Sequence, residues 1–213
     1  FMRAGKQNMT WGVGYFFSPA DLVSLESIDP DNPEAEREGP VAVRLHVPRS
    51  TTNLYGYAIL DDLPTTGYAA FAAKLDFVLA GAEFTTGGYY ERESVSGAML
   101  TWSGSVGDVD LFAEVALQYG STFTIVEELG PTPQTSTRAQ QWFPLATAGF
   151  RYAWSDDPDN FNLSLLGQYS FSGEGYEDPG ILQDDQVALL LTNQTLSVND
   201  LTGVGRHYAA ASL

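Results

Sequence analysis

The chain has 213 residues, no cysteine and a formal net charge of −17. The missing thiols exclude a disulfide scaffold and thiolate metal sites, and the acidic excess excludes nucleic acid as a natural partner, because phosphate would be repelled. Hydrophobic residues make up 44%, yet no run approaches the roughly 18 apolar residues that a membrane-crossing helix needs.

Residues 1–40 lack regular alternation and are rich in Gly, Pro, aromatic and acidic side chains. The first strand is predicted at 41–47, where Val41, Val43, Leu45 and Val47 alternate with Ala42, Arg44 and His46. Such a period of two marks a strand with one apolar and one polar face. Return strands are predicted at 53–60, 69–77 and 82–91, separated by turn-like segments. The clearest pair is 95–106 and 109–119 around a Gly107-Asp108 turn. Val109, Leu111, Ala113, Val115, Leu117 and Tyr119 share one face, with Asp110, Glu114 and Gln118 on the other. A Thr-, Gln- and Pro-rich loop is predicted over 120–144, then strands at 146–154 and 161–172. Residues 173–204 read as a long insertion with a short helix over 183–193, and a final strand begins near Arg206.

This pattern predicts an all-β fold, an antiparallel up-and-down transmembrane β-barrel with long loops. Alternation over eleven positions is longer than the usual soluble strand of about 5 or 6 residues and suits a membrane-crossing one. An aromatic content of 13% agrees with interfacial girdles. The chain is treated as one domain, 1–213. Because its last residues read as a strand cut partway, it is expected to be a piece of a larger barrel, truncated at both ends. The polar strand faces would then line a pore through Arg44, His46, Lys74, Asp76, Glu83, Asp110, Glu114 and Arg151. The alternative for each is a structural role, pairing with its neighbours to hold the wall.

Gly5-Lys6-Gln7, the aromatic stretch Trp11-Gly12-Val13-Gly14-Tyr15-Phe16-Phe17 and the Pro/Glu-rich run 29–40 together resemble a segment of large porin-type outer-membrane barrels. The resemblance covers about residues 3–47. It implies that the 8–40 loop folds into or over the lumen; a surface loop with its own aromatic cluster is the plainer alternative. The acids Glu26, Asp29, Asp31, Glu34, Glu36 and Glu38 crowd one stretch. Asp29, Asp31 and Glu34 are the candidates for a hard-cation site, although the spacing matches no EF-hand and a solvated acidic loop is the preferred reading. No other metal site and no cofactor is expected.

Catalysis finds little support. The two histidines, His46 and His207, neighbour no nucleophile motif, and residues 101–107 lack the Gly-x-Ser-x-Gly elbow. The expected function is therefore a non-enzymatic, porin-like channel for small hydrophilic solutes in the outer membrane of a Gram-negative envelope, in contact with outer-membrane lipid and compatible with oligomerisation. The alternative is a non-conducting barrel acting as surface receptor, adhesin or structural protein.

Overall fold

The alternating segments of the sequence become strands in the computed structural model, which describes residues 1–23, 39–60, 67–92, 94–121, 123–128, 134–157, 161–201 and 205–213. In chain order the strands are β1 (Met2–Lys6), β2 (Val41–Arg49), β3 (Thr52–Ile59), β4 (Ala70–Leu79), β5 (Ala82–Tyr90), β6 (Ser96–Val106), β7 (Val109–Tyr119), β8 (Ile125–Glu128), β9 (Gln134–Ser136), β10 (Trp142–Asp157), β11 (Phe161–Ser172) and β12 (His207–Ser212). Among the described residues one α-helix, α1 (Asp185–Thr192), lies between β11 and β12, flanked by 3-10 turns at Pro179–Gln183 and Val198–Leu201. Asp184 caps α1 by accepting the Gln186 N–H at 2.9 Å, which satisfies one of the unpaired donors at the helix start.

Ten strands form one antiparallel sheet in the order β1-β2-β3-β4-β5-β6-β7-β10-β11-β12, and β8-β9 is a separate hairpin. Sequence neighbours pair throughout, except where β8-β9 is inserted between β7 and β10. The helix and 3-10 turns fill the β11–β12 connection, where the sequence predicted an insertion containing a helix.

The predicted barrel is not formed. Among the described residues β1 pairs with β2 and β12 with β11, and each forms an edge of the sheet. A barrel requires its first and last strands to share a hydrogen-bonded ladder, and that ladder is absent. The porin-type barrel is thus corrected to an all-β domain with an open sheet and one short helix. The channel, the barrel-borne receptor, the outer-membrane location and the contact with its lipid were expected only as consequences of closure, and they fall with it. Among the described residues no helix is long and apolar enough to cross a membrane. Strand length misled: eleven-residue strands such as β6 and β7 suit a wide open sheet as well, and alternation reports a strand's two faces without reporting whether the sheet's edges meet.

The register gives the two faces different chemistry. One transverse row runs Asn53–Asp76–Thr85–Thr101–Glu114–Thr147–Ser170–Tyr208 from β3 to β12. The neighbouring row, on the opposite face, runs Val47–Leu54–Leu75–Thr86–Leu100–Val115–Ala146–Phe171. The polar face is covered by residues 7–23. Met9, Trp11, Ala20 and Leu22 from that segment pack with Ala42, Tyr57, Ile59, Ala70, Ala72, Met99 and Ala116 of the sheet in the main core. A second cluster holds Ile125 and Val126 of β8 against Tyr176, Val187, Leu190 and Leu196 of the β11–β12 connection, which forms a small cap.

Gly107 opens the tight turn between β6 and β7 with φ +62°, a conformation in which a Cβ costs about 1–2 kcal/mol. No atom lies within 4 Å of a Cβ built there, so the cost is backbone strain alone. Gly107→Ala is expected to lower the unfolding free energy by about 1 kcal/mol, read as a fall in the urea midpoint with unchanged slope.

Candidate functional site

A buried charge organises the centre of the covered face. Glu114 sits in the middle of β7 with a relative exposure of 1%, where an ionised carboxylate persists only if its oxygens are hydrogen-bonded. Residues 13–20 supply the donors. The Val13 and Gly14 N–H groups both donate to Oε1, and the Ala20 N–H donates to Oε2 at 3.0 Å. The Ser18 hydroxyl lies 3.2 Å from both oxygens. A carboxylate is acceptor-only with room for about four donors, so this one is saturated by its own chain and is a clamp, not a base awaiting a substrate.

Gln168 on β11 makes the second clamp. Its Oε1 accepts the Tyr15 N–H at 3.0 Å and the Phe16 N–H at 2.8 Å, and its Nε2 donates to the Phe17 carbonyl and to Thr147 Oγ1. Thr147 in turn donates to the Tyr169 carbonyl at 2.7 Å. At the other end of the segment, Gln7 Nε2 donates to the Ala42 carbonyl at 2.8 Å. Three aromatic contacts extend across the sheet: Trp11 on Tyr57 of β3, Tyr15 on Phe112 of β7, and Phe17 on Tyr208 of β12. Residues 7–23 are therefore a strap that crosses the sheet from β2 to β12.

The strap's glycines serve close approach. A Cβ on Gly12 would stand 1.6 Å from Ser18 Oγ and 2.9 Å from Glu114 Oε1, and one on Gly14 would stand 2.0 Å from the Phe17 carbonyl. Asp21 closes the strap by accepting the Trp11 N–H at 3.0 Å. Its carboxyl is held above the usual range mainly by burial; the Trp11 N–H pulls it down, the charge of Glu114 pushes it up, and Lys74 lowers it.

All eight residues predicted to line a pore share the strap's face of the sheet by register, but they form separate groups. His46 stacks on Tyr55 at 4.3 Å, with Arg44 and Lys74 over the same ring at 6.0 and 5.0 Å. Lys74 pairs with Asp76 at 3.2 Å, and Thr85 donates to Asp76 at 2.8 Å. His46 Nε2 is 2.9 Å from Asn53 Oδ1, so its ring contacts an amide and an aromatic and no serine. Asp110 accepts from Ser105 at 2.7 Å and lies opposite Arg151. Glu83 and Asp110 border a shallow polar hollow beside Val13 and Tyr15. Glu114 alone is joined to the strap. Asp29, Asp31 and Glu34, with the rest of the acidic run, lie outside the described residues, and among the described residues no group of three His, Cys, Asp or Glu is placed to hold a metal ion.

Gln168, Thr147 and Ser18 escape a search for chemically reactive residues. The sequence carried one signal for Gln168, its position on the polar face of the 161–172 strand. Nothing local to either partner announced that the strap would reach it, since the hydrogen bonds span more than 150 positions.

Comparison with protein-family models, with curated proteins and with solved structures finds no match. The resemblance of residues 3–47 to porin-type barrels thus has no support from any of the three.

Two outcomes test the clamp. Glu114→Ala strands several buried N–H donors, at about 1–3 kcal/mol each, and is expected to lower stability by about 3 kcal/mol and to make the strap the first site of limited proteolysis. Asp21 gives a pH test. A carboxyl raised in the folded state binds its proton more tightly there than in the unfolded chain. Its contribution is fully present below the unfolded value of 3.8 and is lost as pH rises through the folded value. Asp21→Asn retains the acceptor for Trp11 without the charge. Its stability relative to the native protein, measured by denaturant titration, is expected to improve steadily as pH climbs from below 3.8 through that window.

Proposed function

We propose that this protein is a non-enzymatic association module that buries its apolar sheet face against an apolar surface of a partner protein. The observation that carries this reading is the row Val47–Leu54–Leu75–Thr86–Leu100–Val115–Ala146–Phe171, apolar at every position but one across eight strands. Val47, Leu54, Leu100 and Val115 in that row are exposed, and so are Leu45, Phe71, Leu117, Trp142, Phe150 and Tyr169 elsewhere on the same face. Isolated exposed hydrophobes are ordinary, whereas a contiguous apolar patch beyond a few hundred Å² marks an interaction surface. The strap occupies the opposite face, so no segment of the described chain competes for this one.

A net charge of −17 disfavours pairing two copies, because like charge keeps molecules apart. A different partner, neutral or basic around its apolar patch, fits better. The saturated clamp at Glu114 and the amide and aromatic partners of His46 favour a role without chemistry.

Retention on a phenyl matrix at low salt tests the reading with the isolated chain. The native protein is expected to be retained. Leu100→Lys combined with Val115→Glu, which places an opposite-charge pair directly across β6 and β7, is expected to elute early with unchanged circular dichroism. Flow-through of the native protein would count against the apolar face as a working surface.

A further inference from the structure

A cavity of about 550 Å³ lies where the strap, the β10–β11 part of the sheet and the cap meet. We propose that it binds an organic cation, an ammonium group on a compact apolar body, with the ammonium directed at Glu174. The site is independent of the apolar outer face and goes beyond the association role.

Size is the first argument, because small-molecule pockets run from about 300 to 1,000 Å³. The walls are the second. Phe17 comes from the strap, Tyr208 from the sheet, and Phe123 and Tyr176 from the cap side, so four aromatic residues line one space. Aromatic faces carry negative potential and attract cations, and clusters of them form the cages that recognise substituted ammonium groups. Charge is the third. Glu174 and Asp200 line the cavity, and among the described residues no Lys or Arg does.

The two acids have different tasks. Asp200 is consumed locally: it accepts the Thr124 N–H at 2.8 Å, the Ser197 N–H at 2.7 Å and the Ser197 hydroxyl at 2.8 Å. Burial alone would raise its carboxyl, but these three donors bring it below the usual range, which leaves it a fixed negative charge beside the cavity. Glu174 is underused. Its Oε2 receives a long 3.5 Å contact from Gln118, the Ser121 hydroxyl also bears on the carboxyl, and its Oε1 is buried with no hydrogen-bond partner. Arg138 reaches the Glu174 backbone carbonyl at 3.5 Å and is not part of the cavity wall. Burial pushes the Glu174 carboxyl up, with Ser121, Gln118 and Arg138 opposing the shift; an incoming cation would reverse that penalty. A buried acceptor without a donor, in a cavity lined by aromatic residues and two acids, is complementary to an ammonium group.

The test uses two probes that differ in charge and little in shape, benzylammonium and benzyl alcohol, titrated calorimetrically into the full chain. The native protein is expected to bind benzylammonium roughly ten-fold or more tightly than the alcohol, the scale of a hydrogen bond to a charged group. Glu174→Gln, checked for folding by circular dichroism, is expected to erase that preference. Ser172→Phe, which fills the cavity without touching its charge, is expected to abolish binding of both probes and decides the matter if Glu174→Gln fails to fold. Equal affinity for the two probes, no binding of either, a preference that survives Glu174→Gln, or binding that survives Ser172→Phe would each overturn the proposal.

Discussion

The structure depends on the need to satisfy one carboxylate in the middle of a sheet. Glu114 stands on β7 with strands on both sides, where water does not reach it and its own strand offers no donor. Four donors from residues 13–20 meet that need, and much else follows. The backbone folds so tightly over Glu114 that a Cβ on Gly12 would strike Ser18 and Glu114, and one on Gly14 the Phe17 carbonyl. The passage sets Trp11 and Leu22 into the core and leads Phe17 to Tyr208 at the far edge. Leaving a buried carboxylate unpaired would cost several kcal/mol, so strap and sheet are expected to be lost or kept together.

That covering makes the molecule two-sided. The strap consumes the mixed polar face, turning Glu114, Thr147 and Gln168 into internal hydrogen-bonding groups. The other face keeps its alternate residues, nearly all apolar, with no segment of the described chain against them. Where the strap's end meets the cap, packing is incomplete, and the cavity beside Glu174 is the result. Association through the outer face and ligand binding in the cavity are thus separate properties of one arrangement.

Much of this was legible in the sequence and some was not, for physical reasons. Alternation at 41–47 and 109–119 placed both strands and sorted every side chain onto its face, because a period of two is a local property of extended backbone. Gly107-Asp108 marked its hairpin for the same reason, through a positive φ that favours glycine. Whether the sheet's edges join is a property of strands some 200 residues apart, and the periodicity that identifies each strand is blind to it; the expectation of a porin-type barrel failed there. Glu114 stood out as an acid on a polar strand face, but its partners lie 94 to 101 positions away, and a polar face reads the same with a strap over it or water. The role of Glu174 had no signal at all, since it follows from a cavity made by three distant segments.

Amide hydrogen exchange followed residue by residue measures the clamp most directly. Protection reports the free energy of opening each hydrogen bond. If Glu114 and Gln168 fix the strap to the sheet, the amides of Val13, Gly14, Tyr15, Phe16 and Ala20 will exchange as slowly as those at the centres of β6 and β7. Exchange of those five amides at the rate of an unstructured chain, while β6 and β7 remain protected, would contradict the account.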